Sequence, residues 1–467
     1  MAGVDLSAAT IVDIGKLLKQ KELSPVELTE ATLERIERIN PKLNAYTTVT
    51  ADHAMRRAER AESEITGGNY KGPLHGIPYS LKDLVDTKGI RTTYGYSSHQ
   101  DYIPEQSSEV FTRLEESGAI LVGKVNCHFR RDVPVECFNP WDTERSPGIS
   151  SAGSGSAVAA SLGLASIGSD TGGSVRLPAA WSGVVGIRAT LGLISRHNLF
   201  GPSWSFDQAG PLAKTVEDAA IVLQVVAGYD PKDPISVHGP VPDYQAGLHS
   251  DIKGLRVGVL EEYVGASCNE EVESAVLSAV NTLKELGAQV SNVTIKNVDE
   301  FPDIHNTIVE LESSAYYYEV FSKERLDRID DDMKDRLARG ARISMSEYLR
   351  AKKRLAFLQQ EVDRVLREVD VVVCPTSLTP PLKISETKSK TMLRGQEIDA
   401  GSLSLKCTAI ASDTGLPSIS LPCGMTNDFL PIGLLVMGRR LEENLIMRIA
   451  YAYEQSTGWH LKHPKFG

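Results

Sequence analysis

The sequence is poor in the features that would place it outside ordinary globular chemistry. None of its six cysteines (Cys127, Cys137, Cys268, Cys374, Cys407, Cys423) falls in a CxxC pair. That argues against a zinc or redox motif, and a chain of 467 residues needs no disulfide staples. The cysteines read as reduced thiols of a cytoplasmic protein. Cys127, His128 and Cys137 lie close together, but no fourth metal ligand stands at a recognisable spacing, so burial is the simpler role. There is no block of five or six like charges, and the net charge of −11 opposes a nucleic-acid phosphate track. Residues 1–18 carry no basic segment ahead of an apolar core, so no signal peptide is expected. No GxxxxGK[ST] occurs, which weakens a nucleotide reading of the glycines.

Charge is also missing from one long stretch. Between Arg145 and Asp170 there is none, yet the run holds eight serines and Pro147. A membrane span needs about 20 mostly apolar residues, and serine and glycine do not drive insertion. The stretch asks instead for small polar side chains and a permissive backbone.

What is present is an alternation of helical and strand-like segments. "SPVE" at Ser24–Glu27 is a capping box with proline at the first helical position, and the apolar positions Val26, Leu28, Leu33, Ile36 and Ile39 follow a helical stripe. A second helix over about 52–65 stops at Gly67-Gly68, so residues 1–66 read as N-terminal helices. Apolar runs bounded by turn residues follow: "GIPYSLKD", "AILVGKVN", "VVGIRATLGLIS", "LRVGVL", "AQVSNVTI", "DVVVCP", "LPSISLPCG" and "PIGLLVM". Helices are expected near 108–117, from 215, near 270–286 and near 441–455, with a charged helical elaboration over 298–368. This pattern predicts an α/β fold, a large mixed sheet with helices on both faces. No Pro-, Gly- or Ser-rich linker separates two units, so 1–467 reads as a single domain without internal repeats.

Three segments bear chemistry. In "DTGGSVR" (Asp170–Arg176) two glycines precede a serine, and the backbone N–H groups of Thr171, Gly172 and Gly173 can converge on an anion. Ser174 would then be a nucleophile beside its own oxyanion hole, with Asp170 and Arg176 paired across the turn. The plainer alternative is a glycine-rich helix entry with no ligand. A serine needs a base. His197, His238, His249, His305, His460 and His463 follow it, none in a context that singles it out, and "GISSA" at 148–152 lacks the last glycine of a GxSxG elbow. Lys82 ends an apolar run; burial disfavours its charged form and would make it a base. Its plainer role is pairing with Asp83 or Asp86.

Taken in order, "GIPYSLKD", "SPGISSAGS" and "SDTGGSVRLPAA" resemble the amidase signature family of serine hydrolases. "NPWDTERSPGISS", "VVGIRATLGLIS", "DVVVCPTSLTPP", "GLPSISLPCG" and "PIGLLVMG" extend the likeness over nearly the whole chain. The resemblance implies a Ser–cis-Ser–Lys triad: Ser174 as nucleophile, Ser150 as the bridging serine after a cis peptide, Lys82 as base, and Ser151 supporting the relay. It implies proton transfer from Ser174 through Ser150 to Lys82, a seryl acyl-enzyme hydrolysed by water, and no metal or organic cofactor. One departure stands out: Ile149 occupies the position before Ser150 where the family has glycine. The segment "NCHFRRDVPVEC" (Asn126–Cys137) is also unlike the family and is expected near the pocket. So is "FGPSWSFDQAGPLAK" (Phe200–Lys214).

The expected function is cleavage of a C–N bond in an amide or carbamate, with a urethanase or aryl-amidase-like member as one form. The expected partner is a small-molecule substrate, with no nucleic acid and no membrane, and the family's N-terminal helices suggest a homodimer. The alternatives are an amidotransferase A-type subunit that needs a partner, and a catalytically silent protein that keeps the fold. Tyr79, Phe129, Trp204 and Phe206 are candidate aromatic pocket walls, each also suited to a core.

Overall fold

The computed structural model describes residues 5–127, 136–387 and 389–466. Its strands in chain order are β1 Tyr46–Val49, β2 Pro78–Lys82, β3 Ile120–Val125, β4 Ala165–Asp170, β5 Val185–Arg188, β6 Gln208–Ala213, β7 Arg256–Leu260, β8 Gln289–Val293, β9 Val371–Pro375, β10 Lys390–Leu393, β11 Gln396–Asp399, β12 Ser418–Met425 and β13 Pro431–Met437. Among the described residues eleven of them form one sheet, ordered β1-β3-β2-β4-β6-β5-β12-β13-β9-β7-β8, and β10 and β11 form a separate hairpin. Strands β3, β2 and β4 run parallel, as do β9, β7 and β8; the middle of the sheet is antiparallel. This is the mixed α/β architecture that the alternating segments predict. Most strand residues are buried on both faces, so their sequences read as continuous apolar runs rather than alternating ones.

The local signals act where the sequence places them. Ser24 caps the helix Pro25–Leu43 in a full capping box, and Pro25 is its first residue. The charged region folds as the helices Phe301–Val320, Lys323–Asp327, Asp331–Arg342 and Met345–Glu368. The first and third of these line a cavity through His305, Tyr317 and Arg336, among others.

The serine-rich stretch holds a helix, Ala152–Ala159, in which every residue is buried. It is made of small residues because neighbouring backbone lies against it. A Cβ on Gly153 would meet Ala45 O at 2.6 Å and Asn126 O at 2.7 Å, and one on Gly155 would meet Ser182 Oγ at 2.7 Å. No helix among the described residues is long and apolar enough to cross a membrane.

Candidate active site

Strands β2 and β4 are parallel neighbours, with Tyr79, Ser80 and Leu81 registered against Ala165, Ser166 and Ile167. Their carboxyl ends carry Lys82 and Asp170, and the carboxyl edge of parallel strands is where α/β sheets place ligands. Lys82 is completely buried. Its Nζ donates to Ser150 Oγ at 2.7 Å, Ser169 Oγ at 2.9 Å and Ser151 Oγ at 3.0 Å. Ser151 precedes the helix Ala152–Ala159 but makes no side-chain cap. Its hydroxyl instead donates to Ser169 O at 3.1 Å and accepts from Ser169 N at 3.2 Å. The serines thus replace water around a buried amine.

The acidic neighbours Asp83 and Asp86 have hydrogen-bond partners of their own. Asp83 accepts from Thr93 Oγ1 at 2.5 Å and Thr47 Oγ1 at 3.0 Å, and Asp86 accepts from Tyr94 OH at 2.6 Å. Lys124 is the cation that acts on both carboxyls, against the burial that raises them.

The turn after β4 is built on Asp170. Its Oδ1 accepts from Gly173 N at 2.9 Å and its Oδ2 from Val175 N at 3.0 Å. Arg176 grips the carboxylate with two donors, at 3.0 and 2.9 Å, as the expected pairing requires. Arg188, which the sequence does not flag, adds a third at 2.9 Å. Burial alone would raise the Asp170 pKa; the two guanidiniums overcome it and hold the carboxyl well below the usual range. Arg188 is itself lowered by burial to about 10, against the pull of Asp170. The turn requires glycine at 173, where φ is +128°. Thr408 Oγ1 donates to Gly172 O at 2.6 Å and holds the loop from the far side. Thr171 Oγ1 donates to the buried Asp207, whose Oδ2 also accepts from Ser203 N at 2.7 Å.

A cavity of about 450 Å³ opens over this turn and is lined by Ser150, Ser169, Thr171, Gly172 and Ser174. Lys82, Ser150 and Ser151 are therefore brought together by direct bonds, and Ser174 joins Ser150 on one cavity wall. Three expectations are corrected. Every peptide among the described residues is trans, Ile149–Ser150 included; for a residue other than proline trans is the lower-energy form. Ile149 packs against the cluster of Leu177, Ala180 and Trp181 and also borders the cavity. Second, of the three N–H groups expected to face an anion, that of Gly173 donates instead to Asp170. Third, Ser174 Oγ makes no hydrogen bond within the described residues, so the Ser150–Ser174 step is open; such bonds commonly tighten only with substrate in place.

The aromatic wall also differs. Tyr79 and Phe206 are buried and do not line the cavity, Trp204 lies mostly exposed under the Arg196 guanidinium, and Phe129 lies outside the described residues. Tyr96, Trp181, Phe200 and Tyr317 form the wall instead. The first and last share a 2.5 Å hydroxyl contact. They are far apart in sequence, which is why no local pattern reveals them. Of the unusual segment 126–137, Glu136 reaches the cavity; residues 128–135, His128 with them, lie outside the described residues. The expected cleft segment does line the cavity through Phe200, Pro202, Ser203 and Asp207, and its second half is strand β6.

The family model for amidases matches residues 27–447. The chain belongs to the amidase family. Among curated relatives of this amidase, the A-type subunit of the glutamyl-tRNA(Gln) amidotransferase of Acaryochloris marina is 39% identical, over 98% of this chain and all of that one. Among solved structures, one from a vestigial protein complex that bears on the origins of an s-triazine catabolic enzyme superposes with a TM-score of 0.91 at 27% identity, covering 98% of this chain and all of the other. The A-type subunit of the glutamyl-tRNA(Gln) amidotransferase of Thermotoga maritima superposes at 0.83 with 31% identity, covering 98% and 96%. The amidase-signature fold expected from the sequence is thereby established.

Proposed function

We propose that this amidase cleaves the C–N bond of an amide through a seryl acyl-enzyme, and that it does so as the A-type subunit of an amidotransferase. The observation that carries the chemistry is the buried Lys82 amine held by Ser150, Ser151 and Ser169 on the wall that presents Ser174. In this reading a neutral Lys82 accepts a proton through Ser150 as Ser174 Oγ bonds to the substrate carbonyl carbon. The oxyanion rests on the N–H groups of Thr171 and Gly172. The proton returns to the leaving nitrogen as the C–N bond breaks, and water then attacks the acyl-enzyme. The match along their whole length to amidotransferase subunits favours a protein partner over a chain that works alone. It also favours amides over the carbamates of a urethanase.

A stand-alone hydrolase is the second reading. The aromatic rings of Tyr96, Trp181, Phe200 and Tyr317 around the cavity suit an aryl or otherwise bulky amide better than a small primary amide.

The test is ammonia release from primary amides beside arylamine release from anilides, for wild type and Ser174→Ala, with size-exclusion of the chain from its native host extract. Turnover of primary amides that Ser174→Ala abolishes, with the chain eluting in a larger complex, supports the reading as one component of an amidotransferase. Turnover of anilides alone by the isolated chain selects the stand-alone hydrolase. Undiminished turnover by Ser174→Ala overturns both.

A further inference from the structure

The cavity holds one more chemically able group that the relay does not use. His305, on the helix Phe301–Val320, is nearly buried and lines the same wall as Ser174. Its Nδ1 lies 2.6 Å from Oδ1 of Asp413, a residue 108 positions away on the helix Ala400–Thr414. Its ring stacks on Phe206, with centroids 5.1 Å apart and planes 15° from parallel. Two contacts therefore fix both the position and the rotation of the imidazole. The remaining nitrogen, Nε2, sits over the oxyanion turn. A Cβ placed on Gly172 would come within 2.6 Å of it, so glycine at 172 is what lets the ring approach.

The chemistry of the pair sets which nitrogen carries the hydrogen. Burial raises the Asp413 carboxyl, while His305, Arg188 and Arg176 act on it in the opposite direction. With Nδ1–H donating to that carboxyl oxygen, the neutral tautomer of the ring is the one with its lone pair at Nε2. A buried carboxylate behind an imidazole selects the tautomer in this way, and its loss gives the wrong one.

We infer that His305, held by Asp413, is a substrate-contacting residue that accepts the N–H adjoining the scissile carbonyl. This rests on the proposed Ser174 chemistry, because it is Ser174 that places that carbonyl over Thr171 and Gly172. Amides possess this N–H and esters lack it. As the carbonyl becomes tetrahedral its nitrogen turns pyramidal and the N–H swings out of the amide plane, where it needs an acceptor. His305 thus makes the site discriminate for amides, by a hydrogen bond to substrate rather than by proton transfer.

The experiment measures kcat/KM for an acyl p-nitroanilide and the p-nitrophenyl ester of the same acid, in wild type, His305→Phe and Asp413→Asn. Phenylalanine keeps the stack on Phe206 and removes the acceptor; asparagine keeps the imidazole and removes the carboxylate that sets its tautomer. The anilide-to-ester ratio is expected to fall at least about tenfold in both, the scale of one hydrogen bond to substrate. An unchanged ratio, with both substrates slowed alike, marks a merely structural residue and overturns the inference. Nitrogen-15 spectra of wild type give a second reading that needs no turnover: Nε2 unprotonated at pH 8 is expected, and a hydrogen on Nε2 overturns the proposal. Labelling by a fluorophosphonate, mapped to Ser174, is followed in parallel. Labelling that persists while the ratio stays unchanged rejects His305 alone. Turnover undiminished in Ser174→Ala rejects the parent reading and this one with it.

Discussion

Two lysines sit one strand apart in this sheet, both fully buried, and they have different fates. Lys82 ends β2 and Lys124 lies in β3 beside it. Lys124 is registered with Leu81 rather than Lys82, so the two side chains leave opposite faces of the sheet. On its face Lys124 donates to Val85 O at 2.5 Å, Thr92 Oγ1 at 2.8 Å and Thr87 Oγ1 at 3.2 Å. Burial lowers it to about 8, opposed by Asp83 and Asp86. The three Lys82 partners named above are hydroxyls, and two of them, Ser150 and Ser169, border the cavity. Burial alone therefore does not mark a catalytic lysine. The difference lies in where the partners stand: Lys124 also donates to two hydroxyls, but none of its three partners lines the cavity, so they have no substrate to pass a proton to.

Paired substitutions break the comparison most sharply. Lys82→Met is expected to lower kcat by about 10³-fold, the range of a lost acid–base group, while chemical denaturation shows little loss of stability, since a buried polar amine gives way to an apolar side chain of similar length. Lys124→Met is expected to do the reverse. It removes the cation that opposes the burial of Asp83 and Asp86 and the donor to Val85 O, which costs about 1–3 kcal/mol for a buried acceptor left unsatisfied, while the folded fraction keeps its kcat. If Lys124→Met also abolishes turnover in protein shown to be folded, the assignment of the two faces fails.

The same contrast bears on what the sequence revealed. The strand and helix alternation was legible because each element has its own period and end signals, such as the Ser24 capping box. Lys82, Ser150 and Ser174 were legible because each lies in a contiguous motif. Lys124 looks no less buried than Lys82 in its apolar run "AILVGKVN", and only the register of β3 on β2 tells them apart. Ser169, Arg188 and the pairing of His305 with Asp413 escaped notice for a related reason. Their chemistry arises where distant elements meet: β4 on the helix Ala152–Ala159, β5 behind the turn, and two separate helices at the cavity. The bond from Gly173 N–H to Asp170 was likewise invisible, since sequence shows a donor but not which acceptor wins it.

A smaller effect tests how closely the serine-rich helix must lie behind Lys82. Gly153→Ala forces a methyl against Ala45 O and the Asn126 backbone. Neither is the end of a flexible side chain, so the helix must shift away from β3. A loss of about 2–3 kcal/mol, as for overpacked cores, is expected in urea titration, with kcat falling as the Ser150–Lys82 contact lengthens. Unchanged stability would mean that the small residues of this helix are not there for close approach.

The smallest effect on turnover concerns buried acids away from the cavity. Glu454 and Asp218 approach each other beneath the N-terminal segment. Glu454 Oε2 accepts from Val216 N at 2.9 Å and Asp218 Oδ1 from Val12 N at 3.2 Å. Burial pushes Glu454 up to about 8, with Asp218 adding to the rise, and Asp218 up to about 7. In the unfolded chain such a glutamate ionises near its ordinary 4.5. The fold therefore prefers the protonated acid: its stability is fully present below the unfolded value and is lost as pH rises toward about 8. Each pH unit inside that window is worth at most about 1.4 kcal/mol. Glu454→Gln keeps an oxygen acceptor for Val216 N and cannot ionise. It is expected to gain on wild type steadily from pH 5 to pH 8 in denaturant titration, by at most about 1.4 kcal/mol for each pH unit crossed, with kcat unaltered at both. A gain that is equal at the two pH values would show that ionisation is not what burial at this position opposes. Then the contrast between the site's used lysine and the fold's tolerated charges would have to rest on the lysines alone.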